Sequence, residues 1–450
     1  MDKKPFDINQ TWLKCIGCGY ICDLLEERKF RCPECGDLYD IEHNYDSLGL
    51  SLDDLIRLFN SRANPVGAGS SRNPKVFSGI WRFKEWIMPY LPDEYIVTLG
   101  EGNVPITPIG DNLRQWMGGD ADIYIIQEGM TPTGSFKDFG GTVMMTIANT
   151  IGIKAVACAS TGDTSAMAAA YAARAGIKCA VVLPKGKVTA AQLAQPLVHG
   201  AEIITLPGDF DDCMKVMQEL VSEYGVFPAN SLNPSRIEGH QATVFLTAQH
   251  FGWRLPDWIA APVGNGSNCS SIGKGLRLME KFFGYHGTKI LGCQSKAANP
   301  LARSYNIATS GNWSYEDGVK EKWTESYEPI ACGETTATAA RIGNPVSKDK
   351  VMREIIVSKG AMRVAQEADL NEAVSICGKD GIFVCPQTGI ALAGVRDAIK
   401  SGWISSHDTV VVVSTATGLK FTESASSKLE HKILEAKDCS TETVAQMMNL

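Results

Sequence analysis

The sequence predicts an α/β protein with two parallel-sheet domains and a small cysteine-rich segment at its N-terminus. Between residues 154 and 225, short apolar strands alternate with helices, and a similar alternation returns between residues 258 and 413. Because parallel strands need long crossover connections, this alternation is typical of parallel sheets covered by helices. Two closely spaced pairs of cysteines define the N-terminal segment.

The composition excludes several classes of protein. The chain has 450 residues, of which 44% are hydrophobic, so it can form two or three domains with a sizeable core. Its net charge of -7 argues against a general nucleic-acid or membrane-surface binder. There is no run of 18 apolar residues, and the polar N-terminus does not resemble a signal peptide. We therefore expect a cytoplasmic protein with reduced cysteines and no nucleic-acid or membrane partner.

The N-terminal segment, residues 1–45, contains two Cys-x-x-Cys pairs separated by thirteen residues. A glycine follows each pair and lets the backbone turn tightly under a tetrahedral metal ion. Four thiolates at this spacing predict a structural zinc ribbon, with the ligands Cys15, Cys18, Cys32 and Cys35. A metal-free vestige of a ribbon is the alternative. Since the segment has few basic residues and no open metal position, we expect a scaffolding role rather than catalysis or nucleic-acid binding.

The first alternating series predicts three strands and three helices. The strands are Lys154–Ala159, Cys179–Leu183 and Glu202–Leu206, and the helices are Ser165–Ala175, Val188–His199 and Asp211–Tyr224. Gly176, Gly200 and Gly225 follow the three helices, as C-terminal capping glycines commonly do. The second series predicts strands at Trp258–Ala261 and Thr409–Val413 and a helix at Ser270–Phe283.

A lysine turn, residues 131–140 with the sequence TPTGSFKDFG, is the most informative motif. Lys137 follows small and hydroxyl-bearing residues, which leave room for a flat ring. A lysine that forms a Schiff base with an aldehyde cofactor must be unprotonated and partly desolvated, and this setting suits it. An ordinary surface lysine in a turn that starts a helix is the alternative.

Three further turns stand at predicted strand ends, where open α/β sheets bind ligands. In residues 264–268, backbone N–H groups and the start of the next helix can bind a phosphate, although an ordinary tight turn is the alternative. Residues 160–164 suit a carboxylate, but Asp163 is unusual beside an anion and must be protonated or serve another polar atom. Thr415 offers a neutral hydroxyl that could meet a ring nitrogen.

Several motifs resemble a known family when they are considered together. GSFKD, STGDTS, PVGNGSN and STATGLKF occur in the order found in fold-type II enzymes dependent on pyridoxal phosphate, which share the tryptophan synthase β-like fold. AQLAQPLVHGA, NSLNPSRIEG and CPQTG are similar to stretches of the threonine synthase family, especially its plant-like branch. The resemblance covers most of the chain from about Leu99 to Thr422 and is specific because separate motifs agree in order and spacing.

The resemblance implies roles for individual residues. It implies that Lys137 is the Schiff-base lysine. The implied cofactor-binding residues are Lys137, Asp163, Gly264, Asn265, Gly266, Ser267, Asn268 and Thr415. The implied substrate-binding residues are Ser160, Thr161 and Thr164 for the carboxylate and Asn230, Ser231 and Arg236 for the phosphate. A guanidinium can bind a phosphate bidentately, but a structural ion pair between Arg236 and Glu238 or a neighbour is the alternative.

The function implied by the resemblance is that of a lyase that makes L-threonine. It would convert O-phospho-L-homoserine and water to L-threonine and phosphate by β,γ-elimination and replacement. Another enzyme of the fold type, either a β-replacement synthase or a serine/threonine dehydratase, and a zinc-ribbon binding protein with a degenerate enzyme fold remain alternatives. The resemblance also implies a homodimer, a large cofactor domain at 46–136 and 240–450, and a small domain at 137–239.

Three positions depart from the pattern of the family. Thr131 stands where many relatives carry Asn, Phe139 where they carry Arg or Leu, and Thr417 where threonine synthases commonly carry His. The phosphate loop reads GNGSN rather than the commoner GNxGN. These changes leave the predicted cofactor unaltered, but a missing imidazole at position 417 could change proton transfer or the choice of substrate.

Overall fold

The computed structural model describes residues 7–24, 30–63, 73–160, 162–186, 190–284, 287–310, 318–422 and 440–448. The strands are β1 (Thr11–Cys15), β2 (Ile21–Asp23), β3 (Tyr39–His43), β4 (Ile106–Pro108), β5 (Asp122–Gln127), β6 (Ala155–Cys158), β7 (Lys178–Pro184), β8 (Glu202–Leu206), β9 (Phe227–Pro228), β10 (Trp258–Pro262), β11 (Lys289–Ser295), β12 (Ala361–Ala365) and β13 (Thr409–Ser414).

The helices connect these strands and cover the sheets. They are α1 (Leu52–Ala63), α2 (Lys84–Ile87), α3 (Asp111–Met117), α4 (Lys137–Thr150), α5 (Asp163–Ala175), α6 (Ala190–Val198), α7 (Phe210–Tyr224), α8 (Ser235–His240), α9 (Ala242–His250), α10 (Ser267–Phe283), α11 (Pro300–Ala308), α12 (Val319–Glu325), α13 (Lys348–Val357), α14 (Glu367–Lys379), α15 (Pro386–Lys400) and α16 (Thr441–Met447). None of the helices in the described ranges is long and apolar enough to cross a bilayer.

The described strands form three sheets. A six-stranded sheet has the order β12-β11-β10-β13-β5-β4, and only its edge strand β4 is antiparallel. A four-stranded sheet has the order β8-β7-β6-β9 and is entirely parallel. A small antiparallel sheet, β2-β1-β3, carries the paired cysteines. The predicted fold class, two parallel-sheet α/β units after a small N-terminal unit, is confirmed.

The elements predicted for the first series are present, and their ends differ by at most two residues. Gly176, Gly200 and Gly225 have φ angles of 68°, 77° and 65°, the left-handed conformation of a C-terminal cap. Helix α10 starts at Ser267, three residues earlier than predicted. The reason is Gly266, whose φ of 89° lets the loop turn directly into the helix.

The order of strands brings the predicted turns to one edge of each sheet. In the six-stranded sheet, β10, β13 and β5 are neighbours and run parallel, so their carboxyl ends present residues 264–268, Thr415 and the lysine turn side by side. In the four-stranded sheet, β6 and β9 are parallel neighbours that lead into residues 160–164 and Asn230. The four-stranded sheet lies within the predicted small domain, although the domain boundaries themselves stay a prediction.

Two glycines allow helices α4 and α8 to approach each other closely. A Cβ atom on Gly239 would lie 1.8 Å from the Phe139 carbonyl oxygen, and one on Gly140 would lie 2.8 Å from the Arg236 carbonyl oxygen. These distances exclude any side chain at either position without a shift of backbone. The close approach brings the helix that starts at Lys137 against the helix that carries Arg236.

Candidate active site

The lysine turn is fixed to the carboxyl end of β13 by backbone hydrogen bonds. The Phe136 N–H donates to the Thr415 carbonyl oxygen (2.8 Å), immediately before Lys137. The Cys385 N–H in turn donates to the Ala416 carbonyl oxygen (3.2 Å), which joins a third turn to the same place. The predicted lysine, the predicted ring-nitrogen partner and the CPQTG motif therefore meet at one point.

Side chains within the lysine turn hold its shape. The Thr133 N–H and hydroxyl both donate to the carboxylate of Asp138, at 2.7 and 2.5 Å. Burial raises the pKa of Asp138 to about 7, although these hydrogen bonds act in the opposite direction. The Thr131 hydroxyl closes the turn by donating to the Ser135 carbonyl oxygen (2.8 Å). Thr131, one of the departures from the family pattern, thus supports the turn.

Lys137 is the first residue of α4 and is half-buried. Its Nζ atom lies 3.7 Å from the centre of the Phe136 ring. Burial lowers the pKa of Lys137 to about 7, and the positive charge of Arg236 contributes in the same direction. A substantial fraction of this amine is therefore neutral at physiological pH, the state that attack on an aldehyde requires. These are the properties predicted for the Schiff-base lysine, and they disfavour an ordinary surface lysine.

Two buried groups near Lys137 were not singled out from the sequence. Glu128, just beyond β5, accepts a hydrogen bond from the Thr243 hydroxyl (2.5 Å), and its other carboxylate oxygen has no partner among the described residues. Burial raises the pKa of Glu128 to about 8. His240 is fully buried, with both ring nitrogens unpartnered within the described ranges. Its ring lies 4.9 Å from that of Phe136. The only sequence signal was its place one helical turn after Arg236.

The predicted phosphate loop, residues 264–268, leads into the first turn of α10. The Asn265 carbonyl oxygen accepts from the Ser347 N–H (3.0 Å), which holds the loop against the residue before α13. A Cβ atom on Gly266 would lie 2.6 Å from Val351, so the loop packs too tightly for a side chain there. The first N–H groups of a helix have no intrahelical partner, and the 17-residue α10 presents them at this loop.

Asn268 provides an independent sign that the loop binds a ligand. It is 5% exposed, and neither its amide nitrogen nor its amide oxygen has a partner in the described part of the chain. Buried polar groups are nearly always hydrogen-bonded, so a bound ligand is the natural partner of this amide. Thr415 is also buried, and its hydroxyl lies 3.5 Å from Cys385 Sγ. A neutral hydroxyl is the kind of partner that an unprotonated ring nitrogen requires. The residues present fit pyridoxal phosphate.

The predicted carboxylate turn starts α5. Ser160 and Thr164 are half-buried, and the Ser160 hydroxyl accepts from the Gly162 N–H (3.4 Å). Thr161 lies outside the described residues. Asp163 forms an ion pair with Lys420, with Oδ1 and Nζ 2.9 Å apart. The ion pair explains why an acidic residue is tolerated in an anion-binding turn, since the ammonium of Lys420 balances the charge of Asp163.

Lys420 connects the two sheets and was not singled out from the sequence. Besides Asp163, its ammonium donates to the Thr133 carbonyl oxygen (2.9 Å) and to the Gln195 side-chain oxygen (3.0 Å). An ammonium has three N–H donors, and these three acceptors satisfy all of them. Asp163 and Gln195 belong to helices of the four-stranded sheet, whereas Lys420 follows β13 of the six-stranded sheet. Lys420 therefore holds the two units together beside the lysine turn.

Arg236 is a buried cation without an ion pair among the described residues. It is 1% exposed, and its Nε and Nη2 atoms have no hydrogen-bond partner within the described ranges. Glu238 pairs instead with Lys274, so the structural alternative for Arg236 is wrong. Burial lowers the pKa of Arg236 to about 10, which leaves it charged. A buried, unpaired guanidinium is costly and predicts an anionic ligand.

Asn230 and Ser231, the other residues predicted to bind phosphate, stand at the turn after β9. The Asn230 side chain both donates to and accepts from the backbone of Ala159, at 3.2 and 3.3 Å. Asn230 therefore joins this turn to the end of β6, next to Ser160. Ser231 is half-buried, and its hydroxyl makes no side-chain hydrogen bond within the described part of the chain. Their contact with a ligand stays a prediction.

The four predicted metal ligands converge. The sulfur atoms of Cys15, Cys18, Cys32 and Cys35 all lie within 4.8 Å of one another. Those of Cys15 and Cys35 are 3.4 Å apart, and those of Cys18 and Cys32 are 3.5 Å apart. Zn–S bonds of about 2.3 Å in a tetrahedron place sulfurs about 3.8 Å apart, so small adjustments would accommodate zinc. The donor set fits a closed, structural site.

The fold and the site together define a class of protein. Two parallel sheets meet at their carboxyl ends around a lysine of lowered pKa, a helix-start phosphate loop and a buried neutral hydroxyl. This is the arrangement of fold-type II enzymes that use pyridoxal phosphate.

Comparison with known proteins leads to the same class of enzyme. The family model described as pyridoxal-phosphate dependent enzyme matches residues 97–416. Threonine synthase 2, chloroplastic, from Arabidopsis thaliana is 35% identical over 407 residues, covering 89% of this chain and 75% of that protein. Threonine synthase from Methanocaldococcus jannaschii is 34% identical over 423 residues, covering 93% and 95%. The chain therefore belongs to the pyridoxal-phosphate dependent enzymes and, within them, to the threonine synthase family.

The solved structures support the fold. The crystal structure of threonine synthase from Escherichia coli matches with a TM-score of 0.63 and 18% identity, covering 95% of this chain and 93% of that chain. Maize serine racemase matches with a TM-score of 0.58 and 18% identity, covering 73% and 93%.

Proposed function

We propose that this protein is a pyridoxal-phosphate-dependent lyase that converts O-phospho-L-homoserine and water to L-threonine and phosphate. Relatives that carry the name threonine synthase match over most of their own length. The observation that carries the choice of substrate is Arg236, a buried guanidinium without an acidic partner among the described residues. It lies on a different element from the predicted cofactor loop, so it can serve a second phosphate.

The residues at the site would divide the binding of the cofactor among three elements. Lys137 would hold its aldehyde carbon, residues 264–268 its phosphate, and Thr415 its ring nitrogen. Pyridoxal phosphate, when bound, supplies an electron sink for the carbanion that forms at the substrate Cα atom. Asp163, which pairs with Lys420, lies within the predicted carboxylate turn, after β6 of the four-stranded sheet.

Lys137 is suited to transfer protons at the substrate. Its pKa of about 7 lies near neutrality, where one group works efficiently both as a base and as an acid. Its free amine would remove the Cα proton and take part in the later proton transfers at Cβ and Cγ. Glu128 and His240 are buried close by and interact with this amine electrostatically.

Arg236 would bind and orient the phosphate that leaves. Its Nε and Nη2 atoms have no hydrogen-bond partner within the described ranges and can form two parallel hydrogen bonds to phosphate oxygens. The surrounding protein excludes water and strengthens this contact. An enzyme that removes water from serine or threonine needs no such group, so Arg236 favours the synthase over the dehydratase.

Two departures from the family pattern have structural explanations. Phe139 is fully buried and belongs to the core that packs α4. The Thr417 hydroxyl accepts from the Leu419 N–H (3.3 Å) and caps the turn that carries Lys420. Both side chains thus have roles within the protein itself, and both changes are compatible with the proposed substrate.

The first experiment is phosphate release from O-phospho-L-homoserine, with threonine identified as the product. Lys137→Ala should reduce turnover at least 10³-fold and remove the visible absorbance of the bound cofactor. Arg236→Ala should reduce kcat/KM for the phosphorylated substrate at least 100-fold and keep that absorbance, because the phosphate contact alone is lost.

Controls separate the synthase from its alternatives. Arg57→Ala, which changes a 72% exposed arginine, should leave the kinetics unchanged. Turnover of serine or threonine that is insensitive to Arg236→Ala, without turnover of the phosphorylated substrate, would identify a dehydratase. Protein that binds no cofactor would support the degenerate binding protein.

We also propose a structural zinc ion at the four thiolates, supported by their convergence. Metal analysis of the purified protein should find about one zinc per chain, and Cys32→Ser should lower this zinc content. A purified protein that is folded but contains no metal would contradict the site. The homodimer, the cytoplasmic location and the lack of nucleic-acid partners are proposals that rest on the family resemblance and the composition. Sedimentation equilibrium tests the first of them.

A further inference from the structure

We propose that the N-terminal ribbon braces the segment that would bind the substrate phosphate, so that metal in the ribbon maintains the position of Arg236. Here the ribbon is the described part of residues 7–45, and the phosphate segment is residues 227–240. The inference rests on the proposed function, because it takes Arg236 as the phosphate-binding group. It gives the ribbon a role in substrate binding rather than only in folding.

The ribbon contacts the start of the phosphate segment through an aromatic pair. The Phe30 and Phe227 rings are 5.8 Å apart and meet edge to face at 86°. Both side chains are buried, at 4% exposure each. Phe30 stands two residues before Cys32, and Phe227 begins β9, the strand that leads into Asn230. A residue just before the second cysteine pair is therefore packed directly against the entry to the phosphate segment.

The ribbon contacts the end of the same segment through buried charges. Glu238 lies two residues after Arg236 on α8 and is fully buried. Its carboxylate pairs with the Lys274 ammonium, which also donates to the Ile41 carbonyl oxygen on β3. The other carboxylate oxygen lies 3.4 Å from His43 Nε2, also on β3. The third strand of the ribbon thereby holds the helix that carries Arg236.

The metal site is connected to these two contacts through the strands of the ribbon. Cys15, a predicted ligand, is paired with Tyr39 in the antiparallel ladder between β1 and β3. Strand β3 is itself fixed to α13 by Asp40, which accepts from Lys350 and Arg353 at 2.7 Å each. Small metal-binding units depend on their ion for a stable fold. Loss of metal would thus loosen β3 and Phe30 together.

The cofactor site has separate supports. Lys137 is held by the backbone contact between Phe136 and Thr415, and the phosphate loop is held by Ser347. These contacts are made outside the ribbon, although α10 and α13, which flank the loop, also contact β3 through Lys274 and Lys350. Loosening the ribbon should therefore weaken binding of the substrate phosphate much more than binding of the cofactor, a difference that general destabilisation would not produce.

The test compares variants of the full-length protein loaded with zinc and pyridoxal phosphate. Phe30→Ala and Glu238→Gln remove one contact at each end of the segment. Each should speed backbone hydrogen exchange in residues 227–240 at least tenfold and weaken the binding of inorganic phosphate at least tenfold. The cofactor absorbance should not change. Glu85→Gln is the control, since it alters a partly buried ion pair with Arg62 (2.6 Å) outside the segment.

The outcomes distinguish the inference from the proposed function. Unchanged exchange across residues 227–240 in the Phe30→Ala and Phe30→Leu variants overturns the brace, and the milder Leu variant covers the case in which Ala prevents folding. Faster exchange with unaltered phosphate affinity overturns the link to substrate binding. If the unmodified protein binds no inorganic phosphate, the proposed phosphate site is wrong, and hydrogen exchange still decides whether the ribbon supports the segment.

Discussion

At the scale of single residues, buried polar groups without protein partners mark the site. Arg236 and Asn268 are nearly inaccessible, yet each has side-chain atoms without a partner among the described residues. Such groups are costly unless a ligand completes them. They lie on two different helices, α8 and α10, which would keep the proposed substrate phosphate apart from the cofactor phosphate.

The lowered pKa of Lys137 predicts how cofactor binding depends on pH. Only the neutral amine attacks an aldehyde, and burial brings the pKa of this amine down to about 7. The rate at which cofactor-free protein binds pyridoxal phosphate should therefore rise from about pH 6 to about pH 8, with a midpoint near 7. Stopped-flow measurement of the visible absorbance gives this rate directly.

A variant of Arg236 tests whether its charge contributes to the lowered pKa of Lys137. Since the charge of Arg236 helps to lower the pKa of Lys137, Arg236→Met should move the midpoint to a higher pH, by about half a unit or more. Arg57→Met, at an exposed position, should not move it. A midpoint near the ordinary pKa of a lysine in the unmodified protein would contradict the buried setting.

At the scale of elements, the site depends on how closely α4 and α8 pack. Gly140 and Gly239 remove the side chains that would separate these helices, and the gap is too small for even a methyl group. Lys137 and Arg236 are thus brought together by residues that have no chemistry of their own. Helix α5 joins the same group through the ion pair between Asp163 and Lys420.

Gly239→Ala should disturb both stability and catalysis. The added methyl group would lie 1.8 Å from the Phe139 carbonyl oxygen, so α8 must shift. We expect a loss of about 1–3 kcal/mol in the free energy of unfolding and a fall in kcat/KM of about tenfold or more, because Arg236 is displaced. Urea unfolding and steady-state kinetics measure the two effects.

Gly378→Ala is the matched control for this prediction. Gly378 also lies in a helix, α14, but a Cβ atom there would meet no atom within 4 Å. Replacing glycine by alanine in an unhindered helix stabilises it by up to about 1 kcal/mol. Equal effects of the two substitutions would show that the close approach of α4 and α8 does not limit the site.

At the scale of the whole molecule, buried charges join the ribbon to the six-stranded sheet. The side chain of Asp40 on β3 is 5% exposed and pairs with Lys350 and Arg353 on α13. These positive charges hold the pKa of Asp40 well below its usual range despite its burial. The ribbon is therefore integrated into the enzyme and is not a separately tethered unit.

Asp40→Asn should destabilise the protein strongly. It would leave Lys350, which is 3% exposed, without its carboxylate partner, a change that typically costs about 3–5 kcal/mol. Urea unfolding at neutral pH measures the loss. Asp46→Asn breaks an exposed ion pair with Lys281 and should have no measurable effect. Similar stability of the two variants would contradict tight docking of the ribbon.

Local patterns determined most of the elements and the chemical nature of the site. Alternating strands and helices, capping glycines and paired cysteines were readable because each depends on residues close together in the chain. The same holds for the lysine turn and the phosphate loop, whose short motifs adopt one backbone shape. The parallel order of strands then placed these turns at the carboxyl edges of the two sheets.

Only the tertiary structure decided which distant residues complete the site. Glu128 meets Thr243 across 115 positions of sequence, and Asp40 meets Lys350 across 310. The partner of Asp163, Lys420, likewise comes from another sheet. Local propensity carries no information about such pairs, because burial and charge compensation arise only when separate elements pack. The sequence by itself therefore determined the fold class and predicted the role of Lys137, and packing determined the groups that surround and hold this lysine.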